Sequence, residues 1–235
     1  MTSMNSHQVY ALHGFLGAPA EWQDFTFIDH QVVLERPDLG LWQWAELFNA
    51  EASKIDGHRI LVGYSLGGRL AMHALIAEPK LWSAAILISA HTGLRCQRER
   101  DIRLSKDRLW ANKFLQLPWN ELLQEWNKNP IFGGKPFAHQ KQEQHFERHA
   151  LSQQLQNWSL AKQEYLTPLL KEVKTPILYI AGECDEKFRL IAEDFREFSI
   201  AGIAPGAHHR VPWENSEYFI NTTETFIKES IRYDS

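Results

Sequence analysis

The sequence predicts an α/β fold, in which a mostly parallel β-sheet is flanked by helices. Two observations support this prediction. Six short apolar runs alternate with longer amphipathic or apolar segments along the chain. Most of these runs are almost continuously apolar, which is typical of strands buried on both faces. Such strands occur in parallel sheets that helices cover on both sides.

The predicted strands are residues 8–12, 31–34, 59–62, 84–89, 176–181 and 200–203. Helices are predicted between and after them. An apolar helix follows the third strand from Leu70 and ends at Pro79, because proline cannot continue a helix. The last helix keeps the three-and-four spacing of an amphipathic surface helix, at Phe219, Ile220, Thr223, Phe226, Ile227 and Ile231.

The chain divides into a predicted core and a predicted lid. Residues 7–91 and 171–233 carry the strand and helix patterns of one α/β domain. Residues 92–170 show no strand pattern and are dense in Arg, Gln, Lys, Trp and His, which suggests several short helices with a break at 129–136. Insertions at the carboxyl ends of parallel strands cover ligand sites. A linker followed by a second domain is the alternative interpretation.

Composition excludes several classes of function. The 235 residues suffice for one domain with an excursion or for two small domains, and the net charge of −4 offers no basic stripe for nucleic acid. No apolar run reaches the length of a membrane span, and the start MTSMNSHQ lacks the pattern of a signal peptide. We therefore expect a cytoplasmic protein, as a monomer or weak homo-oligomer. Cys96 and Cys184 are expected to be free thiols, more as buried fillers than as nucleophiles.

The pentapeptide GYSLG, residues 63–67, is the first motif that carries chemistry. It stands between a predicted strand and a predicted helix, so Ser65 falls at the turn between them. Such a turn strains the serine backbone, and Gly63 and Gly67 leave room for it. The hydroxyl then projects above the sheet edge, beside the backbone N–H of Leu66 at the positive end of the helix. The alternative is a serine that only caps a helix.

A nucleophilic or basic serine needs a histidine that a carboxylate orients, in the chain order serine, acid, histidine. Asp185 follows the strand 176–181 and is the preferred acid, with Glu183 and Glu186 as alternatives. The histidine should follow the next strand, where His208 and His209 are adjacent and both remain candidates.

The loop after the first strand, HGFLGAPAEW, offers the backbone N–H of Phe15 as a second donor beside Leu66. His13 in this loop is expected to form structural hydrogen bonds. The remaining histidines show no convincing metal-ligand spacing. Neither a metal nor an organic cofactor is expected.

Four stretches carry a family resemblance: LHGFLGAPAEW, GYSLGGRLAMH, SAHTGL with the later RDIRLSKDRLWA, and AGECDEKFR. The chain resembles the α/β-hydrolase superfamily from Val9 to near its end. Within it, the chain is similar to the 2-succinyl-6-hydroxy-2,4-cyclohexadiene-1-carboxylate (SHCHC) synthases of menaquinone biosynthesis, the MenH family. The resemblance implies a carbon–oxygen lyase that eliminates pyruvate from 2-succinyl-5-enolpyruvyl-6-hydroxy-3-cyclohexene-1-carboxylate, with the Ser–His–Asp relay as base.

The resemblance also implies substrate-binding residues for a small molecule bearing carboxylates: Arg69, Arg103, Trp126 and Arg148. Arginines suit carboxylates because the guanidinium can bind them in a bidentate manner. A solvated helix charge is the alternative for each lid arginine.

Around the histidine, counting back five residues from Glu214 selects His209 by resemblance. The chain departs from the family pattern here: His208 replaces a glycine, Pro212 a histidine and Ser216 a proline. Two further functions stay open. One is a carboxylesterase or thioesterase that forms an acyl-enzyme with a small acyl substrate. The other is a hydrolase fold that serves as a non-catalytic interaction module.

Overall fold

The computed structural model describes residues 7–135, 137 and 139–232. Residues 231 and 232 are described by their backbone alone. Parts of several sequence predictions lie outside the described residues: the start of the chain that bore on a signal peptide, Pro136 in the predicted break, the side chain of Ile231 and residue 233 of the predicted core.

Six parallel strands form one sheet in the order β2-β1-β3-β4-β5-β6. They are β1 (His7–Leu12), β2 (His30–Val32), β3 (His58–Tyr64), β4 (Ala84–Ile88), β5 (Ile177–Gly182) and β6 (Ile200–Ala204). The predicted α/β class and parallel sheet are confirmed, and every predicted strand is present with ends shifted by at most about two residues. Continuous apolar runs located these strands because helices bury both faces of the sheet.

Nine α-helices are assigned within the described ranges. They are α1 (Leu41–Ala52), α2 (Leu66–Ala77), α3 (Gln97–Gln116), α4 (Trp119–Asn127), α5 (Arg148–Asn157), α6 (Thr167–Glu172), α7 (Glu186–Phe195), α8 (Val211–Glu214) and α9 (Ser216–Arg232).

Alternate residues of each strand point to opposite faces of the sheet, and each face has its own core. Leu61 and Tyr179 face the core built with α1, α2 and α7. Ile60 and Leu178 face the core built with α9 and the aromatic segment around Trp22. Helices on both faces leave the carboxyl edge of the sheet as the surface where loops can form a site.

The strand order places a topological switch between β1 and β3. The chain leaves β1 toward β2 on one side and returns to pair β3 with the other side of β1. The loops after β1 and β3 therefore diverge at the carboxyl edge and leave a crevice, the usual ligand position in open α/β sheets. Phe15 follows β1, and Ser65 follows β3.

The segment between β4 and β5 contains α3–α6 and no strand among its described residues. We call residues 92–170 the insert; its role as a lid stays a prediction. The expectation of short helices is wrong for α3, which has 20 residues. Only Asp107, Ala111 and Phe114 of this helix are buried, so the apolar pattern was too sparse to show its length. No helix in the described ranges is both long and apolar enough to cross a membrane.

Cys96 and Cys184 are free thiols, but the expectation that they are buried is wrong. Both are exposed. Cys96 directly precedes α3, and Cys184 lies in the loop between β5 and α7. Both therefore follow strands at the carboxyl edge, where the chain turns outward and a small side chain fills no core.

His73 on α2 couples stability to pH. It is 1% exposed, and its Nδ1–H donates to the carbonyl of Arg69 at 2.7 Å. Its Nε2 is buried and has no hydrogen-bond partner among the described residues. Burial lowers the pKa of His73 from 6.5 to about 4, because a buried imidazolium loses its hydration. The positive charge of Arg69 lowers it further, and the hydrogen bond to the Arg69 carbonyl opposes the shift.

Stability is therefore expected to fall as the pH drops from about 6.5 to about 4. In that window His73 is protonated in the unfolded chain but not in the folded chain. This difference lowers the free energy of unfolding by about 3 kcal/mol across the window. Chemical denaturation at several pH values should show a shallower pH slope in His73→Gln than in the parent. His149→Gln, at an exposed position of α5, is the control. Identical slopes in parent and His73→Gln would contradict the prediction.

Candidate active site

Ser65 stands at a strained turn between β3 and α2. Its φ of 54° and ψ of −108° are unusual for a residue with a side chain, and its N–H donates to Ile88 of β4 at 2.8 Å. The flanking glycines allow the close approach. A Cβ on Gly67 would lie 2.3 Å from the carbonyl oxygen of Leu12, and one on Gly63 would lie 2.7 Å from the Cβ of Ala71. The sequence GYSLG therefore folds into a turn that exposes one hydroxyl.

The structure brings Ser65, His209 and Asp185 into one hydrogen-bonded chain. Ser65 Oγ is 2.9 Å from His209 Nε2, and His209 Nδ1 is 2.8 Å from Asp185 Oδ2. The His209 and Asp185 side chains are each 3% exposed. Because the carboxylate can only accept, Nδ1 of His209 carries the proton and Nε2 is left to accept from the serine. Their catalytic roles stay predictions.

His208 takes no part in this chain. Its ring packs against Gly133 of the insert, and its backbone N–H donates to the carboxylate of Glu214. The rejected acids also point elsewhere: Glu183 accepts from the N–H of Gly206, and Glu186 is exposed on the first turn of α7. The hydrogen bonds therefore connect Ser65 to His209 and not to His208, and connect that histidine to Asp185 and not to Glu183 or Glu186.

Phe15 and Leu66 line the cavity together with Ser65. Leu66 is the first residue of α2, where the N–H has no partner within the helix. In the described part of the chain neither residue donates its N–H to a backbone carbonyl. Both N–H groups are thus available to an oxygen bound beside the serine, and their role as an oxyanion hole stays a prediction.

A cavity of about 940 Å³ opens from the Ser65 hydroxyl, between the core and the insert. The insert contributes an aromatic wall: Trp126 lies 5.0 Å from Phe15 and 4.9 Å from Trp110, ring centre to ring centre. Phe132 and Trp213 also line the cavity. A cavity of this volume with a partly apolar wall can hold a small-molecule ligand.

Arg69 and Arg103, two of the predicted substrate residues, line the cavity. Arg69 is 8% exposed and donates to Gln163 Oε1 at 3.1 Å and to the carbonyl of Trp158. Burial, and then Arg103, lowers the pKa of Arg69 to about 9. Among the described residues, Arg103 donates through its Nε alone, to both oxygens of Asp107.

The structure gives no support to the prediction of Arg148 as a substrate residue. Arg148 is not among the residues that line the cavity. Its Nη1 donates to the carbonyls of Phe114 and Leu117, and its Nε donates to Glu143 at 2.6 Å. The side chain therefore ties α5 to the end of α3, where the unsatisfied carbonyls of a helix terminus attract a cation.

The sequence analysis missed several cavity residues as site residues, among them Tyr64, Lys106, Lys141, Lys187 and Arg210. Lys141 forms a buried ion pair with Glu21, with side chains 5% and 11% exposed. Burial, and then Arg210, lowers the pKa of Lys141 to about 7. Lys187 lay within the stretch AGECDEKFR and could have been chosen from it; the other lysines stand in the irregular insert, where no periodicity marks a cavity wall.

Arg210, directly after His209, joins the site to the insert. Its guanidinium carbon lies 3.9 Å from the centre of the Phe132 ring and 4.0 Å from that of Phe137. It donates to the carbonyl of Lys135 and to Asn127 Oδ1, at 2.9 and 2.8 Å. Burial lowers the pKa of Arg210, and nearby Tyr64 and Glu214 oppose that shift. The histidine loop and the aromatic wall are thus held together.

A family model described as "Alpha/beta hydrolase family" matches residues 9–222. The chain belongs to the α/β-hydrolase family. Within the described residues of this family member, no group of three or more His, Cys, Asp or Glu side chains is arranged to hold a metal ion.

This hydrolase-family chain is similar to proteins named 2-succinyl-6-hydroxy-2,4-cyclohexadiene-1-carboxylate synthase. It is 31% identical to the one from Photorhabdus laumondii over 200 residues, which cover 77% of this chain and 72% of the relative. It is 31% identical to the one from Enterobacter sp. over 229 residues, which cover 87% and 85%. The predicted MenH resemblance is confirmed.

Solved structures support the fold assignment. "Structure of MenH from S. aureus" superposes with a TM-score of 0.83 at 24% identity, covering 97% of this chain and 96% of that one. NosK from Streptomyces actuosus superposes with a TM-score of 0.70 at 19% identity.

Proposed function

We propose that this α/β-hydrolase-family enzyme is an SHCHC synthase. It would eliminate pyruvate from 2-succinyl-5-enolpyruvyl-6-hydroxy-3-cyclohexene-1-carboxylate, without a metal or organic cofactor. The observation that carries the proposal is the hydrogen-bonded chain of Ser65, His209 and Asp185, which opens into a cavity lined by cationic side chains. The named relatives support the choice of reaction.

The positions of the substituents and double bonds in the substrate and the product show which bonds form and which break. Carbon 2 carries the succinyl ketone, so its proton is acidic, and carbon 5 carries the enolpyruvyl ether, which is allylic to the 3,4 double bond. Ser65 Oγ removes the proton from carbon 2 while His209 Nε2 accepts the serine proton. The electron pair forms the 2,3 double bond, the 3,4 double bond shifts to 4,5, and the bond from carbon 5 to oxygen breaks. The leaving enolpyruvate takes the proton back and becomes pyruvate.

Negative charge develops on the ketone oxygen as carbon 2 loses its proton. The N–H groups of Phe15 and Leu66 would donate to that oxygen. Hydrogen-bond donors placed in this way stabilise the negative charge that develops in the transition state. Asp185 keeps His209 in the required tautomer and stabilises its protonated form. No water is consumed, so an insert that covers the cavity and excludes water would favour elimination over hydrolysis.

A serine hydrolase is the second candidate, because the same hydrogen-bonded serine and the same two N–H groups would serve an acyl-enzyme mechanism. One experiment separates the two functions. Pyruvate release from the cyclohexene substrate is followed with lactate dehydrogenase, and p-nitrophenyl acetate is tested in parallel. We expect steady pyruvate release and little ester turnover. An acyl-enzyme burst with the ester and no pyruvate from the cyclohexene would overturn the proposal.

A further inference from the structure

The cavity is basic although the whole chain is acidic. In the described part of the chain seven cationic side chains and four carboxylates line it, whereas the net charge of the chain is −4. The cations are Arg69, Arg95, Arg103, Lys106, Lys141, Lys187 and Arg210, and the acids are Glu21, Glu99, Asp107 and Asp194. A concave site of one charge sign concentrates ligands of the opposite sign. The ligand is therefore expected to carry several negative charges.

Most of these cations already have protein partners. Lys141 pairs with Glu21, and Arg95 lies 3.9 Å from Asp194. Arg69 donates to an amide and a carbonyl of the insert. Arg210 donates to Lys135 and Asn127 of the insert and lies over two of its aromatic rings. Partners of this kind hold a side chain in place and reduce what it can offer to a ligand.

Lys106 and Lys187 differ from the others. Within the described residues neither ammonium has a hydrogen bond or an ion pair; the recorded contact of Lys187 is with the ring of Phe188, 5.5 Å from Nζ to the ring centre. Lys106 stands on α3 of the insert, and Lys187 stands on α7, two residues after Asp185. They therefore approach the cavity from its two sides.

Arg103 has a protein partner but keeps donors that this partner does not use. It lies one helical turn before Asp107, which also accepts from Ser159 at 2.7 Å, so the carboxylate is itself fixed. Within the described part of the chain only the Nε of Arg103 is used, which leaves the outer nitrogens of the guanidinium to a ligand. The acid Glu99 has no side-chain hydrogen bond or ion pair within the described residues and lies one turn before Arg103. It lies seven residues before Lys106, about 10 Å along the helix, which is too far to neutralise that lysine.

The electrostatics of this end of the cavity agree with the geometry. The Lys187 side chain is exposed as a whole, but desolvation of its ammonium, then Arg103, and also Lys106, lower its pKa to about 8, and Asp185 opposes this shift. Burial, then Lys187, Arg69 and Arg103, lower the pKa of His91 to about 3. Positive charges from the core and from the insert thus act on one another across this region, and an anion between them would relieve the repulsion.

We propose that Lys106 and Lys187, beside the predicted substrate residue Arg103, form a carboxylate subsite that holds the end of the substrate's succinyl chain. This inference rests on the proposed function. The ketone carbon and two methylene groups separate the succinyl carboxylate from carbon 2. This flexible chain lets the carboxylate reach beyond the reacting ring. Lysine ammonium groups on flexible stems suit such a mobile carboxylate, because they do not require the planar alignment of a bidentate arginine.

The test compares Lys106→Gln, Lys187→Gln and the double variant in the pyruvate-release assay. KM is expected to rise about five- to tenfold per lysine, and kcat to change by less than about twofold, because the subsite contacts the substrate away from the reacting bonds. Lys106→Arg and Lys187→Arg should restore most of the affinity. Lys128→Gln, an exposed lysine of the insert outside the cavity, is the matched control.

Inhibition by the two products identifies which carboxylate is held. The cyclohexadiene product keeps the succinyl chain, whereas pyruvate carries the carboxylate of the leaving group. Inhibition by the diene should weaken in parallel with KM, and inhibition by pyruvate should stay as in the parent. An unchanged KM in the double variant would overturn the subsite, and weaker inhibition by pyruvate alone would overturn its assignment to the succinyl chain. Pyruvate release by the parent tests the proposed function separately.

Discussion

Replacing Ser65 by alanine is expected to lower the rate of pyruvate release by about 10³-fold or more. The hydroxyl is the group that faces both the cavity and His209 Nε2, and members of a catalytic triad fail as a unit when one is removed. Binding should persist, because the aromatic wall and the cationic side chains remain. The loss should therefore appear in kcat far more than in KM.

The control for this variant is Ser105→Ala, at an exposed position of α3 whose hydroxyl donates to the carbonyl of Asp101. It should turn over at the parent rate. Labelling by a fluorophosphonate should occur in the parent and disappear in Ser65→Ala. Pyruvate release near the parent rate in Ser65→Ala would mean that another group removes the proton.

Much of the sheet and the relay could be predicted from the sequence because both depend on local patterns. Strands buried on both faces are continuous apolar runs, and a serine in a strained turn needs small neighbours. Asp185 and His209 follow consecutive strands of a parallel sheet, and the carboxyl ends of such strands share one edge. The choice of His209 over His208 came from family spacing, since two adjacent residues carry no periodicity that separates them.

The cavity wall could not be predicted in the same way. Its side chains come from the insert, whose helices pack through a few large residues such as Phe114, Trp119 and Leu155 and otherwise face solvent. Arg103 and Arg148 look alike in the sequence. They differ because Arg148 stands beside the last carbonyls of α3, whereas Arg103 stands one turn before a buried aspartate that faces the cavity. Only the packing of α3 against α5 separates the two roles.

Asp185→Asn is expected to lower kcat by about 10³-fold or more while the protein keeps its fold. The asparagine has the same shape, but its amide can donate to His209 Nδ1, which then loses its proton to the other nitrogen. His209 Nε2 would carry the hydrogen and could no longer accept one from Ser65. The carboxylate charge that stabilises protonated His209 would also be absent.

The matched control is Glu186→Gln, which removes a neighbouring negative charge at an exposed position on the first turn of α7. Both variants change the charge near Lys187 by one unit, so any effect on substrate attraction should be shared and should appear in KM. The loss in kcat should belong to Asp185→Asn alone, because only Asp185 contacts the imidazole, at 2.8 Å. Equal losses in kcat in the two variants would mean that the carboxylate acts through the general field of the cavity. The orientation of His209 would then need another cause.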